Sequence, residues 1–315
     1  MGLLLQLKEK RRLRLLVFIL IPLILSAYTH LWNPTGFPSI HTDEGHYLRK
    51  AISTEDGDGL QPQARYRAPY FGQIFLAGIF SIIGYPSFVN AGEKNPVEQL
   101  YLVPRLIMGV VAVIDTFLLY RITEYRYGRN VAIIAAVLFA VMPFTWLTRR
   151  IFLESIQLPF ILTSILLILS LDRRKGGRQQ QMQPQHEQRQ YTKLTLIVSG
   201  IFLGLAIFTK IPAFTVIPVG LTLTYLVTRK KKYLLVWLIP VILVPFLWPL
   251  HATLIGDMKD WISGVRYQIA RDRPIINTLN TSFEIDPVLF VLGMGGLVYA
   301  AIKKDYFILL WAIPG

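Results

Sequence analysis

Apolar residues in this chain gather in long runs, several of them near the roughly 17 to 25 residues that span a bilayer. Such runs cover Leu15–Trp32, Tyr101–Tyr120, Val131–Thr148, Gln157–Leu171, Leu194–Thr209, Pro212–Thr228, Tyr233–Ile255 and Pro287–Ile302, and a last one opens at Tyr306. Short polar segments separate them. The pattern predicts an all-α, polytopic membrane protein, one transmembrane domain over residues 1–315 with about nine spans.

One further apolar run, Pro69–Pro86, disturbs this scheme. If it crossed the bilayer with the N-terminus inside, the basic loops Arg121–Arg129, Asp172–Arg178, Arg229–Lys232 and Lys303–Lys304 would all lie outside. That contradicts the preference of Lys and Arg for cytoplasmic loops. If it lies on the outer face instead, all four loops join the basic N-terminus in the cytoplasm. Its sequence, APYFGQIFLAGIFSIIGYP, is bounded by prolines and carries internal glycines, which suits a juxtamembrane helix. Residues 33–100 are therefore expected to form one long external loop.

Charge and composition add little beyond this. The 33 Lys and Arg against 19 Asp and Glu give +14, which reads as the cationic excess of cytoplasmic loops and not as a nucleic-acid surface. With no cysteine, disulfides, thiolate metal sites and cysteine nucleophiles are excluded. The basic N-terminus precedes an apolar run without a small-residue cleavage site, so a retained first helix is expected. The Gln-rich, charged stretch 172–193 reads as a disordered cytoplasmic linker. No internal repeat is evident. The chain stops inside the apolar run LLWAIPG, so a further C-terminal portion is expected.

The external side then holds Asp43, Glu44 and Glu154 together with Arg65, Arg67, Arg105, Arg149, Arg150 and Lys210. Carboxylates beside cations at a membrane surface suit a substrate with a phosphate at headgroup level. A carboxylate takes the proton of a hydroxyl, and guanidinium or ammonium groups stabilise a departing phosphate.

Five stretches in order resemble a known family. TDEGHYLRKA resembles the Asp-Glu-x-x-Tyr stretch that follows the first helix, with Asp43, Glu44 and Tyr47 in place. YRAPYFGQIFLAGIFSIIGYP is similar to the helix after it. VPRLIMGVVAVIDTFLLYRI, RRIFLES and LGLAIFTKIPAFTVIPVG are similar to a later span, the second external loop and a Thr-Lys-x-Pro hairpin, bringing Arg105, Arg149 with Glu154, and Lys210. The family is the GT-C glycosyltransferases that use polyprenyl-phosphate-linked sugars, in the branch of protein O-mannosyltransferases and lipid A aminoarabinose transferases. Two departures stand out. Arg67-Ala68-Pro69 occupies the position of a His-Pro-Pro or Glu-Lys-Pro triplet, and Glu154 stands where aspartate is more frequent.

The resemblance implies a GT-C type helix bundle and an inverting transfer, with a polyprenyl-phosphate sugar as donor and a hydroxyl-bearing acceptor. Asp43 is implied as general base, and Glu44 and Glu154 as further acids of the site. Tyr47, Arg67, Arg105, Arg149 and Lys210 are implied as substrate-binding groups. Histidines and carboxylates together suit a divalent cation such as zinc or manganese, with Asp43, Glu154 and His46 as candidate ligands and His41 as a weaker one.

Structural roles stand beside each of these. Asp43 and Glu44 suit a helix N-terminus capped by Thr42 or Asp43. Glu154 can pair with Arg149 or Arg150, and Arg105 and Lys210 can snorkel at helix ends. Asp115, inside a span, is expected to have a structural partner toward the cytoplasmic side. Met258–Pro274 reads as an amphipathic external helix and a candidate acceptor contact. Two other functions are weighed: a secondary transporter with Asp115, Glu154 and Lys210 along its path, and a non-catalytic protein that binds polyprenyl lipids. A transporter predicts inverted repeats, and no WWDYG stretch points to an oligosaccharyltransferase.

Overall fold

The computed structural model describes residues 18–60, 66–87, 96–175, 185–270 and 274–312. Among these residues the chain is helical without strands. Helix α1 covers Phe18–Leu31. It is followed by α2 (Thr42–Glu55), α3 (Phe71–Ile83), α4 (Pro96–Tyr127), α5 (Arg129–Val141) and α6 (Pro143–Trp146), which runs into a 3-10 turn, Leu147–Arg149. Then come α7 (Leu153–Lys175), α8 (Gln185–Thr209), a 3-10 turn Ile211–Val216, α9 (Ile217–Thr228) and α10 (Lys232–Leu254). Last are α11 (Met258–Ile269), α12 (Ile275–Ile285), α13 (Pro287–Lys303) and α14 (Tyr306–Ala312).

Among the described residues, five helical stretches are long and apolar enough to cross a membrane, in α4, α7, α8, the Ile211–Thr228 stretch and α10; a bent pair makes six. The protein is a multi-pass membrane protein. The bent pair is the expected span Val131–Thr148, which breaks at Met142 with a 60° change of direction. Pro143 explains the break: its ring cannot continue the preceding helix but suits the first turn of the next. α3 has 13 residues, a length of about 20 Å, well under the roughly 30 Å of a hydrocarbon core. Expected disorder over 172–193 also gives way in part. α7 runs to Lys175 and α8 starts at Gln185, where Gln, Glu and Arg favour helix; residues 176–184 lie outside the described residues.

The bundle core joins α4, α7, α8, α9 and α10 through Leu118, Ile165, Leu203, Leu223 and Trp237. Within it Trp237 Nε1 donates to Ser199 Oγ at 3.0 Å, and Ser199 Oγ donates to the Ser164 carbonyl at 2.8 Å. Polar side chains thus satisfy one another where no water reaches. α8 and α10 meet closely because Gly200 lacks a side chain: a Cβ there would sit 2.4 Å from the Trp237 carbonyl oxygen.

A second core lies under α2 and α3. Leu48 and Ala51 of α2, Leu76 and Phe80 of α3, Met108 and Val111 of α4, and Ile151 and Ile156 pack together. Burial of each large side chain contributes about 1.5–3 kcal/mol, so α2 and α3 are fixed on the bundle. Tyr85, just past α3, donates its hydroxyl to the Leu100 carbonyl at 2.6 Å. Pro104 inside α4 leaves that carbonyl without its helical partner, and the tyrosine fills the gap.

Candidate active site

The start of α2 is set by a capping box. His41 is the N-cap, and its Nδ1 accepts from the Asp43 N–H at 3.2 Å. Glu44, three residues on, accepts from the His41 N–H at 2.8 Å. This is the capping expected for these acids, with His41 in the place of Thr42 or Asp43. The two acids then part company. Asp43 points outward, its side chain 64 % exposed, with His41 Nδ1 3.9 Å away. Glu44 is fully buried.

Arg105, from α4, meets Glu44 in a bidentate pair, Nε to Oε2 at 2.9 Å and Nη2 to Oε1 at 2.6 Å. Its other N–H groups go to the carbonyls of Pro34 (2.8 Å), Pro38 (2.7 Å) and Ser39 (3.3 Å). The Ile151 N–H adds a further donor to Glu44 at 3.1 Å. Every donor of the guanidinium is engaged and neither group is exposed. Arg105, expected to meet a phosphate, here spends its donors with Glu44 in a clamp that fixes the loop ahead of Asp43.

Arg149 has a similar fate. Nη1 donates to the carbonyls of Thr29 (2.7 Å) and Trp32 (3.0 Å), and Nη2 to that of Asn33 (2.8 Å). It caps the C-terminal end of α1, where carbonyls have no helical donor. Arg150 donates to the Ser39 carbonyl at 3.1 Å. Three arginines therefore hold residues 29–39 by their backbone carbonyls. The cause is legible locally, since Pro34 and Pro38 contribute acceptors without N–H donors.

Glu154 pairs with Lys210, not with Arg149 or Arg150. Gln157, one turn along α7, donates its amide to the carbonyls of Ala206 (2.9 Å) and Lys210 (2.5 Å), so it holds the end of α8. Sequence reasoning missed this residue; the signal was its place one turn after Glu154 opposite the TKIP break. The Glu154–Lys210 pair is solvent-accessible, at 57 % and 30 %, so it contributes little to stability.

Tyr47 and Lys50 of α2, Ala68, Pro69, Gln73 of α3 and Leu153 of α7 line a narrow, open-mouthed hollow. Asp43 lies one turn before Tyr47 on the same side of α2. Arg67 stacks over the Tyr267 ring of α11 at 4.8 Å. α11 seats against this segment because Gly264 lets it approach: a Cβ would sit 2.3 Å from the Tyr66 carbonyl oxygen. Tyr66 donates to Asp257 at 3.0 Å, and burial with that contact pushes its hydroxyl up to about 12. The expected helix within Met258–Pro274 is thus present as Met258–Ile269.

Burial, followed by the charges of Lys50 and Arg49, lowers the His46 imidazole, so it is neutral at pH 7. The metal expectation has no donor set to rest on. Among the described residues no three of His, Asp and Glu converge on one point, and Asp43, Glu154 and His46 do not form a cation site. Asp115 is fully buried in α4, and among the described residues neither oxygen has a hydrogen-bond partner. The structural partner expected for it is not found there. Arg65 and residues 271–273 lie outside the described residues.

Known proteins share this architecture. The Saccharomyces cerevisiae protein O-mannosyltransferase Pmt1-Pmt2 complex, solved with its sugar donor bound, matches with a TM-score of 0.55 at 18% identity, over 78% of this chain and 34% of that one. The apo oligosaccharyltransferase of Archaeoglobus fulgidus matches with a TM-score of 0.59 at 16% identity, over 95% of this chain and 46% of that one. The archaeal oligosaccharyltransferase AglB from the same organism, in complex with an inhibitory peptide and a dolichol-phosphate, gives 0.57 at 16% identity over 95% and 46%. At these identities the likeness is one of fold, and the chain spans between a third and a half of the length of these structures. No curated protein sequence matches it. Residues 23–258, about three quarters of the chain, match the family described as Dolichyl-phosphate-mannose-protein mannosyltransferase. The chain belongs to that family.

Proposed function

We propose that the protein is a membrane glycosyltransferase that moves a sugar from a polyprenyl-phosphate donor to a hydroxyl acceptor on the non-cytoplasmic face. Asp43 is the general base. It takes the acceptor proton as the hydroxyl oxygen attacks the anomeric carbon from the side opposite the lipid phosphate. The bond from that carbon to the phosphate oxygen breaks, the polyprenyl phosphate leaves with the electron pair, and the anomeric configuration inverts. The observation that carries the reading is the separation of the two acids: Glu44 is locked in the Arg105 clamp, leaving Asp43 as an exposed carboxylate on a rigid turn. Family membership supports the donor class. It also disfavours a transporter.

The test is product analysis. Membranes containing the chain are supplied with a labelled polyprenyl-phosphate mannose of known anomeric configuration and a hydroxyl-bearing acceptor peptide. The expected product carries mannose in the opposite configuration. Retention of configuration removes the single-displacement mechanism, and absence of transfer favours a non-catalytic lipid-binding protein.

Orientation follows from the charge of the loops: residues 33–100 outside, the N-terminus and Arg229–Lys232 inside. The chain has no cysteine of its own, so single cysteines at Asp56 and Lys230 report directly. In intact cells an impermeant thiol reagent is expected to label Asp56→Cys and to spare Lys230→Cys. The reverse pattern inverts the topology.

A further inference from the structure

The cations singled out by sequence pattern as phosphate ligands are mostly engaged elsewhere. Arg105 and Arg149 are spent on carbonyls and Glu44, and Lys210 pairs with Glu154. A phosphate placed near Asp43 therefore needs another counter-charge. We propose that Lys50 is that cation, receiving the phosphate of the donor lipid in the hollow between α2 and α3. The proposal rests on the donor class inferred above.

Several independent features meet at Lys50. It lines the hollow together with Tyr47 and Gln73. It is half-buried, and among the described residues no carboxylate pairs with it. Its charged neighbour is Arg67, which acts on it with the same sign. Burial, with Arg67 second, lowers the Lys50 ammonium below its ordinary value, and the charge of an anion in the hollow would oppose that shift. A compact ammonium with rotatable donors suits the anionic phosphate of a lipid-linked sugar, a diester in the donor and a monoester once the sugar has left.

Placement along α2 fits the reaction. Asp43, Tyr47 and Lys50 stand at i, i+4 and i+7, one side of one helix, with a rise of about 10 Å from first to last. The base lies at one end, the aromatic ring in the middle and the cation at the other end. A sugar laid over Tyr47 would have its acceptor side toward Asp43 and its phosphate toward Lys50, whose flexible stem shortens the remaining distance. α3 also supplies a path for a lipid. Ile74, Gly78 and Ile82 form an exposed stripe along α3 beginning next to Gln73, Ile82 being 86 % exposed. This stripe favours phosphate carried on a prenyl chain over free phosphate.

The experiment measures equilibrium binding of geranylgeranyl phosphate, geranylgeraniol and inorganic phosphate to the purified full chain in detergent. Wild type and Lys50→Met are compared, with Lys50→Gln in reserve should the methionine variant not fold. The wild type is expected to bind the prenyl phosphate at least about tenfold tighter than the alcohol, the scale of a charged hydrogen bond. Lys50→Met is expected to lose that preference while keeping alcohol affinity and melting temperature, and Lys50→Arg to restore most of it. A structural role for Lys50 would move alcohol and phosphate binding together, which overturns the assignment. Phosphate preference unchanged in Lys50→Met also overturns it and leaves the donor reading standing. Lys50-dependent binding of inorganic phosphate that gains nothing from the prenyl chain upholds the cation and overturns the lipid donor. Binding of none of these by the wild type overturns both.

Discussion

Asp43→Asn is expected to lower sugar transfer by about two to four orders of magnitude, the usual contribution of a positioned general base. Asparagine keeps the shape of the side chain and removes its ability to take a proton. The fold should not notice. The Asp43 side chain is 64 % exposed, with His41 Nδ1 3.9 Å away, while the cap of α2 uses the backbone N–H of residue 43 and not its carboxylate. The variant should therefore melt with the wild type and hold donor as well as the wild type does. Comparable losses of transfer and of stability would mean that Asp43 acts through the fold and not on the substrate.

Arg105→Met is expected to act in the opposite way, on the protein before the chemistry. Removing one member of a buried ion pair costs about 3–5 kcal/mol, because the remaining charge stays buried without its partner. Here the loss is compounded, since Glu44 would keep only the N–H groups of His41 and Ile151, and the carbonyls of Pro34, Pro38 and Ser39 would lose their donor. Arg105→Lys should recover little, because an ammonium cannot reproduce a planar fork that bonds Glu44 and three carbonyls of the preceding loop at once. Thermal unfolding in detergent checks this. A phosphate-binding Arg105 would instead leave melting unchanged and raise only the concentration of donor needed for transfer.

Much of this molecule could be read from the order of its residues, and the limits have physical causes. Long apolar runs fixed the helices of the bundle, because hydrocarbon demands that each backbone group be satisfied within its own segment. The bend at Met142 was signalled by Pro143, yet the run was read through it because its side chains stay apolar on both sides. Residues 185–193 are polar enough to pass for a linker, but they extend α8 as helix.

At the site, the acids and their family spacing were visible while their partners were not. Whether Arg105 meets a phosphate or Glu44 depends on a contact 61 residues away in sequence, which no local pattern encodes. The same holds for Arg149, whose spacing to Glu154 suggested a shared role although one caps α1 and the other meets Lys210. Lys50 escaped attention for the converse reason. In TDEGHYLRKA it resembles any charged residue on a solvated helix, and only the packing of α3 against α2 brings it to the wall of a hollow.

The central claim is that one exposed carboxylate, held by a buried clamp beside it, performs the proton transfer. Its most direct test is single-turnover transfer of labelled mannose from donor already bound to the purified chain, wild type against Asp43→Asn, with bound donor counted before acceptor is added. Equal donor occupancy with transfer slowed about a hundredfold or more is the predicted result. Transfer by Asp43→Asn at the wild-type rate would contradict the account.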